Sequence, residues 1–438
     1  MEGLRSSLER VEASLFAIDS AGNNAESIFT QVYARTALKE AQAADDRLFA
    51  GKPLSAIDGY IISVKDLFDV RDTVTTAGSL LLKEAKHANL DSFVVQRIRD
   101  AGGVIIGKTN MSEFAFSGIG LNPHFGTPKN ALEPLNIPGG SSSGAAVAVA
   151  RGLCDVAIGS DTGGSVRIPA ALNGVIGFKP SQNRISRQGM FPLSPSLDAV
   201  GLISTSLSQI DHVYQILLDE APEDPIELPT NVSIDGGCIG VVSGLLMQDT
   251  DAQTLADYEN AIACLSRRGF NLIGMEIDDS VSFVQSMQRN GSLVGAEAAR
   301  IHAPWMESRG HLYDPLILSR LNVGRTVSDE AMLHMRKGRI DAQRLIDGQF
   351  SMASFLLLPT VPIQAPSISS LATSDEFFRV NGLLLRNTAI FNFCDLPALS
   401  FPIPTLSGRS CTSVMLVAKR NAEKDLLNMA SHLKRTLQ

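Results

Sequence analysis

Two glycine-cushioned serines and one lysine are the residues of this chain best suited to chemistry. Ser141 lies in Pro138-Gly139-Gly140-Ser141-Ser142-Ser143-Gly144, and Ser165 ends Gly159-Ser160-Asp161-Thr162-Gly163-Gly164-Ser165. A serine hydroxyl is a poor nucleophile at neutral pH and needs a base to take its proton. The basic companion upstream is Lys65, in Ser63-Val64-Lys65-Asp66, and no histidine offers itself for the role. This set points to acyl transfer by a Ser-Ser-Lys relay. At Thr162-Gly163-Gly164-Ser165, successive N–H groups without bulky side chains could converge on one oxygen. Such an oxyanion hole is worth about 3–4 kcal/mol per donor in the transition state.

Elements must hold these groups in place. Gly59 to Lys65 reads as a buried strand ending at the lysine. An ammonium at the end of an apolar strand is pushed toward its neutral, basic form by desolvation. A lysine paired with Asp66 or another carboxylate would suit the same position, and the strand alone leaves both readings open. The run Ala145 to Ala150 reads as a helix of small residues pressed on a sheet. Cys154 to Ile158 makes the next strand, and Ser165 sits past its glycine-rich end, with a helix expected from Val166 onward.

Elsewhere, Leu4, Leu8, Val11, Leu15 and Ile18 mark an amphipathic helix, and a second is expected over about residues 26–47. A helix over 91–101 precedes the strand Val104 to Ile106. The alternation of strands and helices argues for a mostly parallel sheet covered on both faces. Residues 219–230, with Pro222, Pro225, Pro229 and clustered acidic side chains, read as a linker. The second half restarts with a strand Ile239 to Leu246, a helix over about 251–268 and a strand Leu272 to Ile277. A polar helix around 326–347 and a strand Phe355 to Leu358 follow.

Three letter-level motifs fail in context. Gly102-Gly103-Val104-Ile105-Ile106-Gly107-Lys108-Thr109 spells a P-loop, yet its middle is a buried strand and a helix precedes it. Gly140 to Gly144 spells a GxSxG elbow without the required preceding strand, and the late His334 and His432 sit in charged helical contexts. Ser431-His432-Leu433-Lys434 spells SxxK, but in the last helix. With 438 residues, 44% hydrophobic and 19% charged, the composition is that of a globular enzyme of more than one small core. The net charge of −8 and the absence of a basic stripe exclude nucleic acid and anionic membrane as expected partners. Five scattered cysteines without CxxC spacing, no apolar leader and no 18-residue apolar stretch fit a cytoplasmic protein with neither disulfide frame nor metal site.

The two serine segments, extended to Gly159-Ser160-Asp161-Thr162-Gly163-Gly164-Ser165-Val166-Arg167-Ile168-Pro169-Ala170, resemble the amidase signature family. Ser63 to Val70, Gly107 to Phe114, Asn122 to Asn130, Gly177 to Pro180 and Leu193 to Asp198 fit the same family in the same order. The resemblance is strong over about residues 50–205 and looser toward the C-terminus. It implies an α/β fold, one α/β/α unit around a large mixed sheet, spanning residues 1–438. Within it, 1–50 would be N-terminal helices, 51–218 the catalytic half and 231–438 the substrate-pocket half. It makes Ser165 the nucleophile, Ser141 the bridging serine behind a cis peptide, and Lys65 the base, with Thr162, Gly163, Gly164 and Ser165 as oxyanion donors. It calls for no cofactor.

Ser143 and Ser160 replace the family's usual glycine and threonine, and Leu406 to Cys411 replaces a glycine-rich, pocket-shaping segment. The expected activity is hydrolysis of a small carboxamide or urea-type amide by a stand-alone enzyme, for which a homodimer is an acceptable state. The alternative is the glutaminase subunit of a tRNA-dependent amidotransferase, which works with partner chains and carries more C-terminal length. Phe68, Met111, Phe114 and Phe125 lie near the motifs and could line an apolar pocket, with Met111 the substrate-binding candidate, or simply pack the core. Arg167 is the arginine nearest Ser165, and two residues on in a helical turn it suits structure better than substrate.

Overall fold

The computed structural model describes residues 6–20, 22, 27–218, 237–406 and 411–437. The chain begins α1 (Ser7–Ser20), β1 (Phe29–Val32), α2 (Ala34–Phe49), β2 (Ile61–Lys65), α3 (Phe93–Asp100) and β3 (Val104–Thr109). The site-bearing stretch is α4 (Ser143–Ala150), β4 (Val156–Asp161), α5 (Arg167–Leu172), β5 (Ile176–Lys179), β6 (Ala199–Ser204) and α6 (Leu207–Leu217). Then come β7 (Ile239–Ser243), α7 (Ala252–Arg267), β8 (Leu272–Glu276), α8 (Asp278–Met287), α9 (Leu293–Arg309), α10 (Pro315–Arg325) and α11 (Asp329–Gln349). The described chain closes with β9 (Phe355–Pro359), α12 (Ser374–Phe393), β10 (Ala398–Ile403), β11 (Thr412–Ala418) and α13 (Glu423–Leu437).

These eleven strands join one mixed sheet in the order β1-β3-β2-β4-β6-β5-β10-β11-β9-β7-β8. Strand residues alternate between its faces, as the period of two demands. Leu357, Leu399, Val414 and Leu416 face α3, α6, α7 and α13, while Leu356, Leu358, Ala398, Met415 and Val417 face α8, α11 and α12. On that second face, toward the other end of the sheet, Ile61, Val104, Ile106 and Ala157 pack on α1, α2 and α4. Both faces are therefore covered, which gives the α/β/α arrangement. Each fully buried valine or leucine adds roughly 1.5–3 kcal/mol to that packing.

The sheet is less parallel than the strand–helix alternation suggests. Pairs β2–β3, β2–β4, β7–β8 and β7–β9 are parallel, whereas β1–β3, β4–β6, β5–β6, β5–β10, β10–β11 and β9–β11 are antiparallel. For β5–β6 and β10–β11 the reason is that the strands connect without a crossover helix, and parallel neighbours require one. The helix expected over 26–47 begins only at Ala34, because Phe29–Val32 pairs antiparallel with β3. The strand expected to reach Leu246 stops at Ser243. There Gly244 turns at φ +81° and the Asp278 carboxylate accepts from the Leu245 N–H at 2.9 Å. The helix expected over 326–347 starts at Asp329, capped by Ser328, whose hydroxyl accepts from Ala331 N–H at 3.1 Å. The linker expected at 219–230 has its whole length outside the described residues, as do Leu4 and residues 407–410.

Candidate active site

β2 delivers Lys65 into the protein at zero solvent exposure. Its Nζ lies 2.7 Å from Ser141 Oγ and 2.9 Å from Ser160 Oγ, and among the described residues those hydroxyls are its hydrogen-bond partners. The carboxylate expected as a rival partner is engaged elsewhere. Asp66 pairs with the buried Lys108 of β3 at 3.2 Å and accepts from the Thr76 side chain and backbone. Burial depresses the Lys65 amine to about 7, against the opposing pull of Asp161 and Asp198. An amine so placed is half neutral near physiological pH and can accept a proton from Ser141.

Ser141 is held by close backbone packing. The Gly140–Ser141 peptide is cis, Gly139 has φ +73°, and the Ser112 N–H donates to Ser141 O at 3.1 Å. A side chain at Gly144 would meet Ile28 O at 2.3 Å and Asn110 N at 2.7 Å, so only glycine lets α4 approach this closely. One residue past Ser141, the Ser142 N–H donates to Ser165 O at 3.1 Å, stitching the two serine segments together.

The turn carrying Ser165 is braced from below by a buried ion pair. Asp161 and Arg167 are both fully buried, and their side chains meet at 2.9 and 3.0 Å. Burial opposes the Asp161 charge, but the Arg167 guanidinium, with Lys179 and Asn392, holds the carboxyl well below the usual carboxylate range. The same carboxylate accepts from the Gly164 N–H at 2.8 Å and the Val166 N–H at 3.1 Å. Arg167 thus serves structure. Of the expected oxyanion donors, Gly164 already has an acceptor, while Thr162, Gly163 and Ser165 have none among the described residues. Gly164 sits at φ +135°, and a Cβ there would lie 2.2 Å from Thr388 Oγ1. Thr388 in turn donates to Gly163 O at 2.6 Å, and Thr162 Oγ1 donates to Asp198 at 2.6 Å. Burial pushes the Asp198 carboxyl up to about 6, against hydrogen bonds from Thr162, Ser194 and Leu193.

Removing one partner of a buried ion pair leaves the other charge uncompensated, at a cost of about 3–5 kcal/mol. Asp161→Asn is therefore expected to destabilise the fold by about that amount. Urea unfolding reads it, and a loss under about 1 kcal/mol would contradict the bracing role.

Thr162, Gly163 and Ser165 form one wall of a cleft of about 640 Å³, counted to its open mouth. Leu385, Ala389 and Phe393 of α12 make an apolar side. Met111, Phe68 and Phe114 are buried in the core and do not line this cleft, and Phe125 is half-buried outside it. Among the described residues no histidine lines it. His302, which is fully buried, donates to or accepts from the Tyr313 hydroxyl at 3.0 Å and packs on Phe114. Among the described residues no group of three His, Cys, Asp or Glu side chains is placed to hold a metal ion, and no helix is long and apolar enough to cross a membrane. All five cysteines are free.

Comparison with known proteins adds a second line of observation. The family profile described as Amidase matches residues 9–427. The chain is 32% identical over 399 residues to a 2-amino-5-chloromuconic acid deaminase of Comamonas testosteroni, covering 89% of this chain and 84% of that protein. It is 29% identical over 422 residues to a glutamyl-tRNA(Gln) amidotransferase subunit of Methanothermobacter thermautotrophicus, covering 93% and 89%. A solved amidase crystal structure superposes with a TM-score of 0.86 at 27% identity, over 99% of this chain and 97% of that one.

Proposed function

The chain belongs to the amidase family, and from that premise we propose that it cleaves the C–N bond of a small amide through an acyl-enzyme on Ser165. The observation that carries the reading is Lys65, a fully buried amine depressed to about 7 whose described partners are two hydroxyls, one of them Ser141 at 2.7 Å. Neutral Lys65 takes the proton of Ser141, Ser141 takes that of Ser165, and Ser165 Oγ bonds to the carbonyl carbon. The N–H groups of Thr162, Gly163 and Ser165 hold the oxyanion as it forms. When the C–N bond breaks, Ser141 gives the departing nitrogen its proton. Water then enters, loses a proton to the same relay and releases the acid, and Ser165 regains its hydrogen.

The test is release of ammonia or amine by the purified chain from acetamide, malonamate, biuret, an aryl acetamide and glutamine. Turnover of at least one compound by the chain alone is expected. The likeness to the tRNA-dependent amidotransferase supports a second reading, a glutaminase working with partner chains. Activity confined to glutamine, and only with partner chains added, would select it. Silence on every compound under both conditions would overturn the amidase reading.

A further inference from the structure

Glu297 stands outside the relay and does not line the cleft, yet hydrogen bonds connect it to the turn that carries Ser165. It lies on α9 and is buried. Its carboxylate accepts from the Ser194 hydroxyl at 2.6 Å, from the Ser196 N–H at 3.0 Å and from the Ser196 hydroxyl. The Arg336 guanidinium of α11 donates to it at 2.6 and 3.0 Å. Burial opposes the charge, but these donors outweigh it and hold the carboxyl below its ordinary range. Arg336 is 46% exposed, and an ion pair open to solvent on one side adds little to stability.

The gripped segment, Ser194-Pro195-Ser196, has a partner for every polar atom. Pro195 O accepts from Arg187 at 2.7 Å and from the Gln182 side chain at 3.1 Å, and Ser196 O accepts from Arg339 at 2.7 Å. Ser194 O accepts from the Leu197 and Asp198 N–H groups at 2.8 Å. Connecting segments are ordinarily among the more mobile parts of a protein, so fastening this one throughout fixes whatever it carries. It carries Asp198. The Ser194 hydroxyl donates to Glu297 while its N–H donates to Asp198 at 3.1 Å, and Asp198 accepts from Thr162 Oγ1 at 2.6 Å. A continuous route thus runs from Glu297 through Ser194 and Asp198 to the turn of Thr162. The same tether joins two walls of the cleft, Leu193 and Leu197 beside the segment and Ser292 and Val294 at the start of α9.

We propose that Glu297 is a positioning residue for the reaction, setting the segment so that Asp198 holds Thr162 with its N–H in place for the oxyanion. The proposal rests on the amidase reading of Ser165 and adds a residue that serves it from a distance. Glutamine at 297 would keep one acceptor oxygen but turn an NH2 group toward the donors of Ser194, Ser196 or Arg336, so the grip could not be remade whole. Oxyanion donors act on the transition state, so loosening one lowers kcat rather than raising KM.

Steady-state kinetics of Glu297→Gln on the best amide substrate provides the test. Because a misplacement of about 1 Å can cost about 100-fold, kcat is expected to fall at least about tenfold with KM within about threefold of the wild type. A merely structural role would not give the next result. With Thr162→Val already in place, adding Glu297→Gln should cost less than about threefold, since the route to the turn is already cut. An unchanged kcat in Glu297→Gln, or losses that multiply in full with those of Thr162→Val, would overturn the proposal. If Glu297→Gln melts well below the wild type, Ser194→Ala carries the test. It removes one hydroxyl from the same route, and an unchanged kcat in it counts against the proposal. A second arm needs no turnover. By hydrogen exchange, the peptide covering residues 193–198 should exchange at least about tenfold faster in Glu297→Gln, while α13 keeps its rate. Unchanged exchange there would remove the tether. A wild type silent on every amide, with the exchange response intact, would sink the amidase reading and leave the tether standing. Turnover indifferent to Glu297→Gln would sink the positioning role alone.

Discussion

Ser165→Ala is expected to lower kcat/KM for amide hydrolysis by about 10⁴-fold or more while the protein stays folded. Ser165 lines the cleft together with Thr162 and Gly163, and the hydroxyl of Thr162 on that wall is committed to Asp198. The substitution deletes a single hydroxyl from a residue that is 4% exposed, so the melting temperature should move little. Retention of more than about 1% of the wild-type rate in a folded variant would remove Ser165 from the nucleophile's place.

The second large effect concerns Lys65 and pH. If the neutral amine is the working form, kcat/KM should rise about tenfold per pH unit below about 7 and level off above it. Lys65→Met should remove that rise and cost several orders of magnitude at pH 8, roughly 10³-fold or more. A wild-type-like rate in Lys65→Met, or a profile flat from pH 5 to 9, would contradict the assignment. Stability moves in a related way. The folded amine titrates near 7 and the unfolded lysine near its ordinary value of 10.5, so the unfolded chain binds the extra proton between those values. The cost of burying Lys65 is therefore complete below about pH 7 and fades as pH rises toward 10.5.

How far the sequence foretold this arrangement depends on whether the signal was local. Lys65, Ser141 and Ser165 were legible because glycines, a strand end and a short segment define each of them within a few residues. The competing Lys65–Asp66 pair was weaker than it looked. Successive side chains along an extended segment point to opposite sides, and Asp66 indeed turns to Lys108. The edge strand Phe29–Val32 was hidden because four residues lie directly before an alanine-rich helix and carry no turn residue to separate them. The antiparallel middle of the sheet was hidden because connections, not periodicity, set strand direction.

Other parts of the site are purely tertiary. Asp198 lay inside a recognised segment, but nothing in its neighbours shows that it accepts from Thr162. Asn392 and Thr388 come from α12, more than two hundred residues from the turn they support. Arg320 lies on α10, and only the packing of that helix beside Phe116 brings it to the cleft. A single cation on an unremarked helix has no spacing or partner motif to betray it. Met111 is the converse case. Its position in a recognised segment suggested substrate contact, but the segment's buried β3 end carries it into the core.

Above all, the mechanism requires that Ser165, activated through Ser141 and Lys65, become covalently attached to the substrate's acyl group. Peptide mass spectrometry after treating the active protein with a fluorophosphonate tests this attachment at the atom concerned. An activated serine displaces fluoride, forming an O–P bond as the P–F bond breaks, and its proton passes to the relay. One phosphonyl adduct is expected, on the peptide holding Ser165, absent from Ser165→Ala and slowed in Lys65→Met. An adduct on Ser141 instead, or stoichiometric inactivation with Ser165 unmodified, would contradict the assignment.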